Sequence, residues 1–260
     1  MIGYILAIFV GISLGLIGAG GAILTVPILV YVMKMDAVTA TGYSLFIVGI
    51  TSLVGATRSL IKKQVNLRMA FLFGVPSIAT AIIVRTWLIP IIPDVLFHVG
   101  TFAFTKNIFL LLLFATVMIA ASINMIKPQK LDLEKWPSLF SLILTGILVG
   151  MLTGLVGAGG GFLIIPALVL FLKLPMKKAV GTSLLIITMN TLSSFIGGMV
   201  HTQIDWERLL IFTALSVGGI FIGFTMSNKI PGPKLKPVFG WFILFMGLFI
   251  ILKELLFTDY

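Results

Sequence analysis

The stretch Gly15-Leu16-Ile17-Gly18-Ala19-Gly20-Gly21, followed by Pro27, decides the reading of this chain because it occurs twice. At an offset of 139 it returns as Gly154-Leu155-Val156-Gly157-Ala158-Gly159-Gly160-Gly161, followed by Pro166. Around it, residues 11–68 align with 150–207 without a gap and are identical at 19 of 58 positions. Shared apolar character alone produces chance matches, but the residues that coincide here are glycine, proline and serine, including Gly42 with Gly181 and Ser44 with Ser183. Those residue types set backbone geometry, so the match is a duplication of structure. The chain divides into an N-terminal repeat, 1–130, and a C-terminal repeat, 131–260.

Outward from the glycine run the sequence is apolar. Of 260 residues, 59% are hydrophobic and 10% are charged, and the mean hydropathy is +1.21. A soluble fold cannot bury that much apolar surface. A transmembrane helix needs about 20 apolar residues, and eight apolar stretches lie near 2–33, 38–60, 69–90, 105–126, 138–172, 179–200, 209–228 and 237–256. The start, Met1-Ile2-Gly3-Tyr4, has no basic leader, and the first segment is expected to be retained. There are no cysteines, which excludes thiol chemistry and thiolate metal sites, and two histidines, His98 and His201, do not complete a metal shell. The net charge of +10 comes from Lys and Arg in the loops, the pattern of insertion into a membrane and not of nucleic-acid binding.

The first segment of each repeat is too long. As straight helices, 2–33 and 138–172 would measure about 48 to 52 Å, and one crossing needs about 30 Å. Each glycine costs a helix roughly 1 kcal/mol against alanine, so the break falls at the glycine run. Either a kinked helix crosses once, or two half-helices form a re-entrant hairpin. Charge separates the two. With every segment crossing, Lys and Arg divide equally between the faces. With re-entrant hairpins the repeats are inverted, and one face carries 13 of the 18, including Arg58, Lys62, Lys63, Arg68, Lys127, Lys130, Lys135, Lys173, Lys177, Lys178 and Lys229. The other keeps Lys34, Arg85, Lys106, Arg208 and Lys253. The expected fold is an all-α polytopic membrane protein of two inverted repeats, each one glycine-broken re-entrant or kinked helix plus three transmembrane helices. Its basic loops are cytoplasmic and both termini outside. Trp87, Trp136, Trp206 and Trp241 fall near segment ends, where indoles favour the headgroup zone.

Irregular backbone at membrane depth is tolerated where it is buried in protein or lines an aqueous cavity. A half-helix of 12 to 15 residues reaches about 18 to 22 Å, past the midplane. The two glycine tips therefore meet near the centre, and the helices that begin after them, near Gly21 and Gly160, turn free N–H groups and positive dipole ends into the space between the repeats. That is an anion site, with Gly18, Ala19, Gly20, Gly21, Gly157, Ala158, Gly159 and Gly160 as its backbone. Tight helix packing is the competing explanation of the same glycines. The second segment of each repeat adds Ser44 and Thr182, Ser183 and Asn190 as substrate-binding candidates, with Thr41, Thr51, Ser52, Thr188 and Thr191 nearby. In membrane helices such hydroxyls also bond to their own helix or glue neighbours.

No Asp or Glu lies in the middle of a predicted segment; all eight sit in loops, at segment ends or at the terminus, which favours an anionic over a cationic substrate. Arg58 and Arg85 attract anions or snorkel to the headgroups. Gly11 with Gly15, Gly146 with Gly150, and Gly219 with Gly223 are small-xxx-small pairs explained by helix packing. Gly18 and Gly20 do not make a dinucleotide fingerprint, since Ile23 stands where the third glycine belongs, and no nucleotide-binding Gly-x4-Gly-Lys-Ser/Thr motif occurs. An enzyme would need a nucleophile and base at depth; the chain is expected to be no enzyme and to need no cofactor.

The paired glycine runs with Pro27 and Pro166, and Gly181-Thr182-Ser183, resemble the TauE/SafE family of sulfite and organosulfur anion exporters over essentially the whole chain. Two positions depart from its pattern, Ala22 for a glycine and Tyr43 for the threonine before Ser44. The resemblance implies a secondary transporter, an exporter or permease of sulfite, sulfonate or other organosulfur anions by alternating access between the two repeats, in a cell (inner) membrane. An anion channel, or a carrier for non-sulfur organic anions, is the alternative. The expected partners are a small inorganic or organic anion and the lipid bilayer, with no nucleic acid; a homodimer is compatible with the sequence.

Overall fold

The computed structural model describes residues 2–18, 20–35, 37–88, 91–93, 95–99, 102–126, 138–156, 161–198 and 204–256. In the first repeat these form α1 (Ile2–Ile17), α2 (Gly20–Pro27) running into a wide π-helical turn (Ile28–Val32), α3 (Ala37–Ile61) and α4 (Leu67–Ile83) with a second π turn (Val84–Leu88). A two-stranded hairpin, β1 (Val95–Val99) and β2 (Phe102–Thr105), precedes α5 (Lys106–Ile126). The second repeat contains α6 (Leu139–Val156), α7 (Gly161–Pro166) with its π turn (Ala167–Phe171), α8 (Met176–Gly198), α9 (Trp206–Lys229) and α10 (Gly232–Leu256).

The offset of 139 governs local structure as well as sequence. Each π turn follows directly on its proline, Pro27 or Pro166. Each closes with a five-residue-span bond, Met33 N–H to Ile28 C=O at 3.1 Å and Leu172 N–H to Ala167 C=O at 3.2 Å. Proline has no N–H to donate to the preceding turn, and both helices widen at that point. Each then ends on a lysine of left-handed backbone, Lys34 (φ 56) and Lys173 (φ 54). The N-caps also match: the Asn66 side chain accepts from Met69 N–H to start α4, and the Asp205 side chain accepts from Arg208 N–H to start α9.

Within the first repeat the glycine-broken segment turns back on itself. Gly18 has φ +81 and donates its N–H to Leu14 C=O at 2.7 Å, a left-handed helix end that glycine alone adopts without strain. After it, Gly21 lies against Leu14 and the Val10 carbonyl, and Gly3 lies against the Met33 side chain. The start of α1 and the end of the π turn are thus neighbours, and the segment has the form of a hairpin.

The long-range contacts join one repeat to the other. α1 packs along α9 with both running in the same direction: Gly11 meets Gly219 and the Ser216 carbonyl, and Gly15 meets Gly223 and the Ile220 carbonyl. α6 packs in the same way along α4, Gly146 on the Phe73 carbonyl and Gly150 on that of Ser77. Residues 77 and 216 are themselves 139 apart. The repeat-equivalent helices α3 and α8 cross antiparallel at the centre, with Gly49 beside Thr191 and Leu192, Ser52 bonded to Thr188 at 3.1 Å, and Gly55 beside Leu184. α5 and α10 also pair antiparallel, Gly240 on Met125 and Ile126, Gly247 on Ala115 and Met118.

The outer surface is apolar, with Phe140 73%, Phe245 69% and Ile196 69% exposed, while Thr51, Ser52, Ser122, Thr182, Ser183 and Ser216 are within 2% of complete burial. A soluble protein has the opposite distribution; this one matches a lipid surround. Among the described residues four helices are long and apolar enough to span a membrane: Thr39–Ile61, Leu67–Leu88, Met176–Ile196 and Trp206–Lys229. The fold of the described residues is all-α apart from the one short hairpin, in which His98 pairs with Ala103. α10 begins at Gly232, ahead of the predicted 237, so Trp241 lies further inside its helix than expected.

Candidate functional site

The first hairpin tip and the α3–α8 crossing form the candidate site. At Gly18 an added Cβ would lie 2.9 Å from Val180 Cγ1, 3.0 Å from Ser183 Oγ and 3.1 Å from Ile165 Cδ1. The tip of the first repeat is therefore held against α7 and α8 of the second, and its positive φ with this crowding makes any larger residue there strained. Gly20 opens α2 and Gly21 packs inside the hairpin. Ala19, Gly157, Ala158, Gly159 and Gly160 lie outside the described residues, as do Lys127, Lys130, Lys135, Trp136 and His201.

The hydroxyl candidates separate by what they bond. Ser183, fully buried, donates to the Val180 carbonyl at 2.9 Å, which leaves its oxygen facing the Gly18 tip able to accept or share a proton. Ser44, its repeat equivalent in α3, is 6% exposed, and Asn190 is 5% exposed. Thr182 is engaged elsewhere: its oxygen accepts the Asn66 backbone N–H at 3.0 Å. Tyr43, at the equivalent position, does the same for the other repeat, accepting the Asp205 N–H at 2.6 Å and donating to the Asp205 carbonyl at 3.4 Å. Tyr43 and Thr182 thus replace each other as cross-repeat ties to the N-cap residues of α9 and α4. The sequence marked the difference between them without showing this role, because a contact spanning 162 or 116 residues leaves no periodic signal.

Arg58 lies with its guanidinium 4.9 Å from the Phe224 ring and 5.6 Å from that of Phe221, a cation–π seat that ties the end of α3 to α9. Arg85 belongs to the π turn after α4. Among the described residues no group of three or more His, Cys, Asp or Glu converges on a point where a metal could bind.

A bundle with apolar side chains outward, hydroxyls inward and two interlaced repeats is a multi-pass membrane protein. A family model described as sulfite exporter TauE/SafE matches residues 4–250, and the chain belongs to that family of membrane transporters. It is 28% identical to a probable membrane transporter protein of Methanocaldococcus jannaschii, over 95% of this chain and 94% of that one. A probable membrane transporter protein of Xylella fastidiosa is 26% identical over 94% of this chain and 92% of its own length. The probable membrane transporter protein YunE of Bacillus subtilis is 26% identical over 86% and 87%.

Proposed function

We propose that this transporter is a secondary carrier, an exporter or permease, of small oxyanions of the sulfite, sulfonate and organosulfur class, and that they sit between the hairpin tips of two inverted repeats, 1–130 and 131–260. The observation that carries the reading is the Gly18 tip of one repeat lodged against Ser183 of the other. Backbone N–H groups at the start of α2 then supply donors beside the tip without any acidic side chain, and the Ser183 hydroxyl joins them on turning from the Val180 carbonyl, which suits an anion. Gly18, Ala19, Gly20 and Gly21 with Ser183 and Asn190 form one half of the proposed site; Gly157, Ala158, Gly159 and Gly160 with Ser44 form the other. The family supplies the sulfur-oxyanion class.

Inversion is supported by direction. Repeat-equivalent helices α3 and α8 run antiparallel, and the hairpin keeps the ends of the first segment together, as a re-entrant element requires. With the basic loops cytoplasmic, both termini face outward across a cell (inner) membrane. Rocking one repeat against the other around a fixed site gives alternating access.

The test is binding of sulfite, sulfoacetate, thiosulfate, sulfate and chloride to the purified protein, beside Gly20→Leu and Gly159→Leu variants checked for folding. One sulfur oxyanion is expected to bind wild type and be lost in both variants. Binding that survives both substitutions, or no binding to wild type, removes the site.

A further inference from the structure

Thr51 breaks a rule that the other buried threonines keep. Thr25, Thr145, Thr153, Thr188, Thr191 and Thr213 each donate to the carbonyl four residues earlier at 2.6 to 2.7 Å, the ordinary way a helix satisfies a buried hydroxyl, and Thr182 accepts a backbone N–H. Thr51 Oγ1 is completely buried and has no hydrogen-bond partner among the described residues. An orphan hydroxyl in an apolar bundle is costly, and each such group in a native structure calls for an explanation.

Its position supplies one. On α3, Ser44, Val48 and Thr51 lie at intervals of four and three residues and so share a face. The repeat equivalents on α8 are Ser183, Ile187 and Asn190, and Ser183 is the residue at the Gly18 tip. Thr51 is next in sequence to Ser52 at the Ser52–Thr188 crossing bond, and Asn190 is next to Thr191, which packs on Gly49. Thr51 and Asn190 therefore flank the crossing of α3 and α8, and the α8 stripe leads from there to the Gly18 tip.

We propose that the Thr51 hydroxyl is a substrate-binding donor, which together with the Asn190 position receives the oxyanion at the crossing of α3 and α8. This rests on the anion-carrier reading above and adds to it a residue whose own helix leaves it unbonded. The hydroxyl donates to a deprotonated ligand oxygen and accepts from a protonated one, so it serves both forms of a weakly acidic anion such as sulfite.

Thr51→Val keeps the shape and removes the hydroxyl; Thr51→Ser keeps the hydroxyl. In the full-length protein the Thr51→Val variant is expected to melt, without ligand, no lower than wild type and to lose roughly tenfold or more in sulfite affinity, while the Thr51→Ser variant stays near wild type. If the Thr51→Val variant binds sulfite as wild type does, in a preparation where Gly20→Leu has lost binding, the carrier reading stands and this inference falls. A fall in the melting temperature of ligand-free Thr51→Val assigns the hydroxyl a structural partner and also overturns it. No sulfur oxyanion bound by wild type overturns the carrier reading and this inference together.

Discussion

At Lys34 and Lys173 the backbone is left-handed, φ 56 and 54, where a Cβ costs about 1–2 kcal/mol. Replacing either by glycine removes that cost but adds freedom to the unfolded chain. Lys34→Gly and Lys173→Gly are each expected to raise stability by about 0.5 kcal/mol, read as a small upward shift in the melting curve of the detergent-solubilised protein. Gly18 shows the reverse situation, with φ +81 and Val180, Ser183 and Ile165 crowding the space a Cβ would fill. Gly18→Ala is expected to lower stability by more than about 1 kcal/mol, and both hydroxyl contact and turn geometry contribute. The glycine run announced this turn in the sequence because glycine is the residue a left-handed helix end needs. Thr51 was visible only as one hydroxyl among several, since a missing hydrogen bond is a property of three-dimensional surroundings.

Two adjacent glycines in α9 show how an element's faces differ. Gly218 has nothing within 4 Å of an added Cβ, whereas Gly219 faces the Ile8 carbonyl and Gly11 of α1. Gly218→Ala is expected to gain about 0.5–1 kcal/mol of helix stability, and Gly219→Leu to force α1 off α9 and prevent a folded monodisperse peak in size-exclusion chromatography. At the N-cap corners, Tyr43→Phe strips the acceptor from the Asp205 N–H and Thr182→Val strips it from the Asn66 N–H, each expected to cost about 1–2 kcal/mol in thermal unfolding. The small-xxx-small spacing made the α1–α9 and α4–α6 faces legible as packing faces, though not which helix each would meet. The β-hairpin was illegible for a different reason. Val95-Leu96-Phe97 and Phe102-Ala103-Phe104 are nearly continuous apolar runs without the period-two alternation that betrays a strand.

At the scale of the molecule, inversion makes a prediction that a parallel duplication reverses. Lys34 and Lys173 are repeat equivalents, exposed at the ends of the two π turns, and the chain contains no cysteine. Single Lys34→Cys and Lys173→Cys variants are expected to react with a membrane-impermeant thiol reagent from opposite sides of sealed vesicles; labelling from one side would mean parallel repeats. The 13-to-5 division of basic residues read from the loops pointed to the same arrangement. The interlacing carries a consequence for biosynthesis. α1, made well before α9, packs on it, and α4 waits for α6. A nascent chain that stops short of α9 thus holds the glycine face of α1 open to lipid, and this transporter matures as one object rather than half by half.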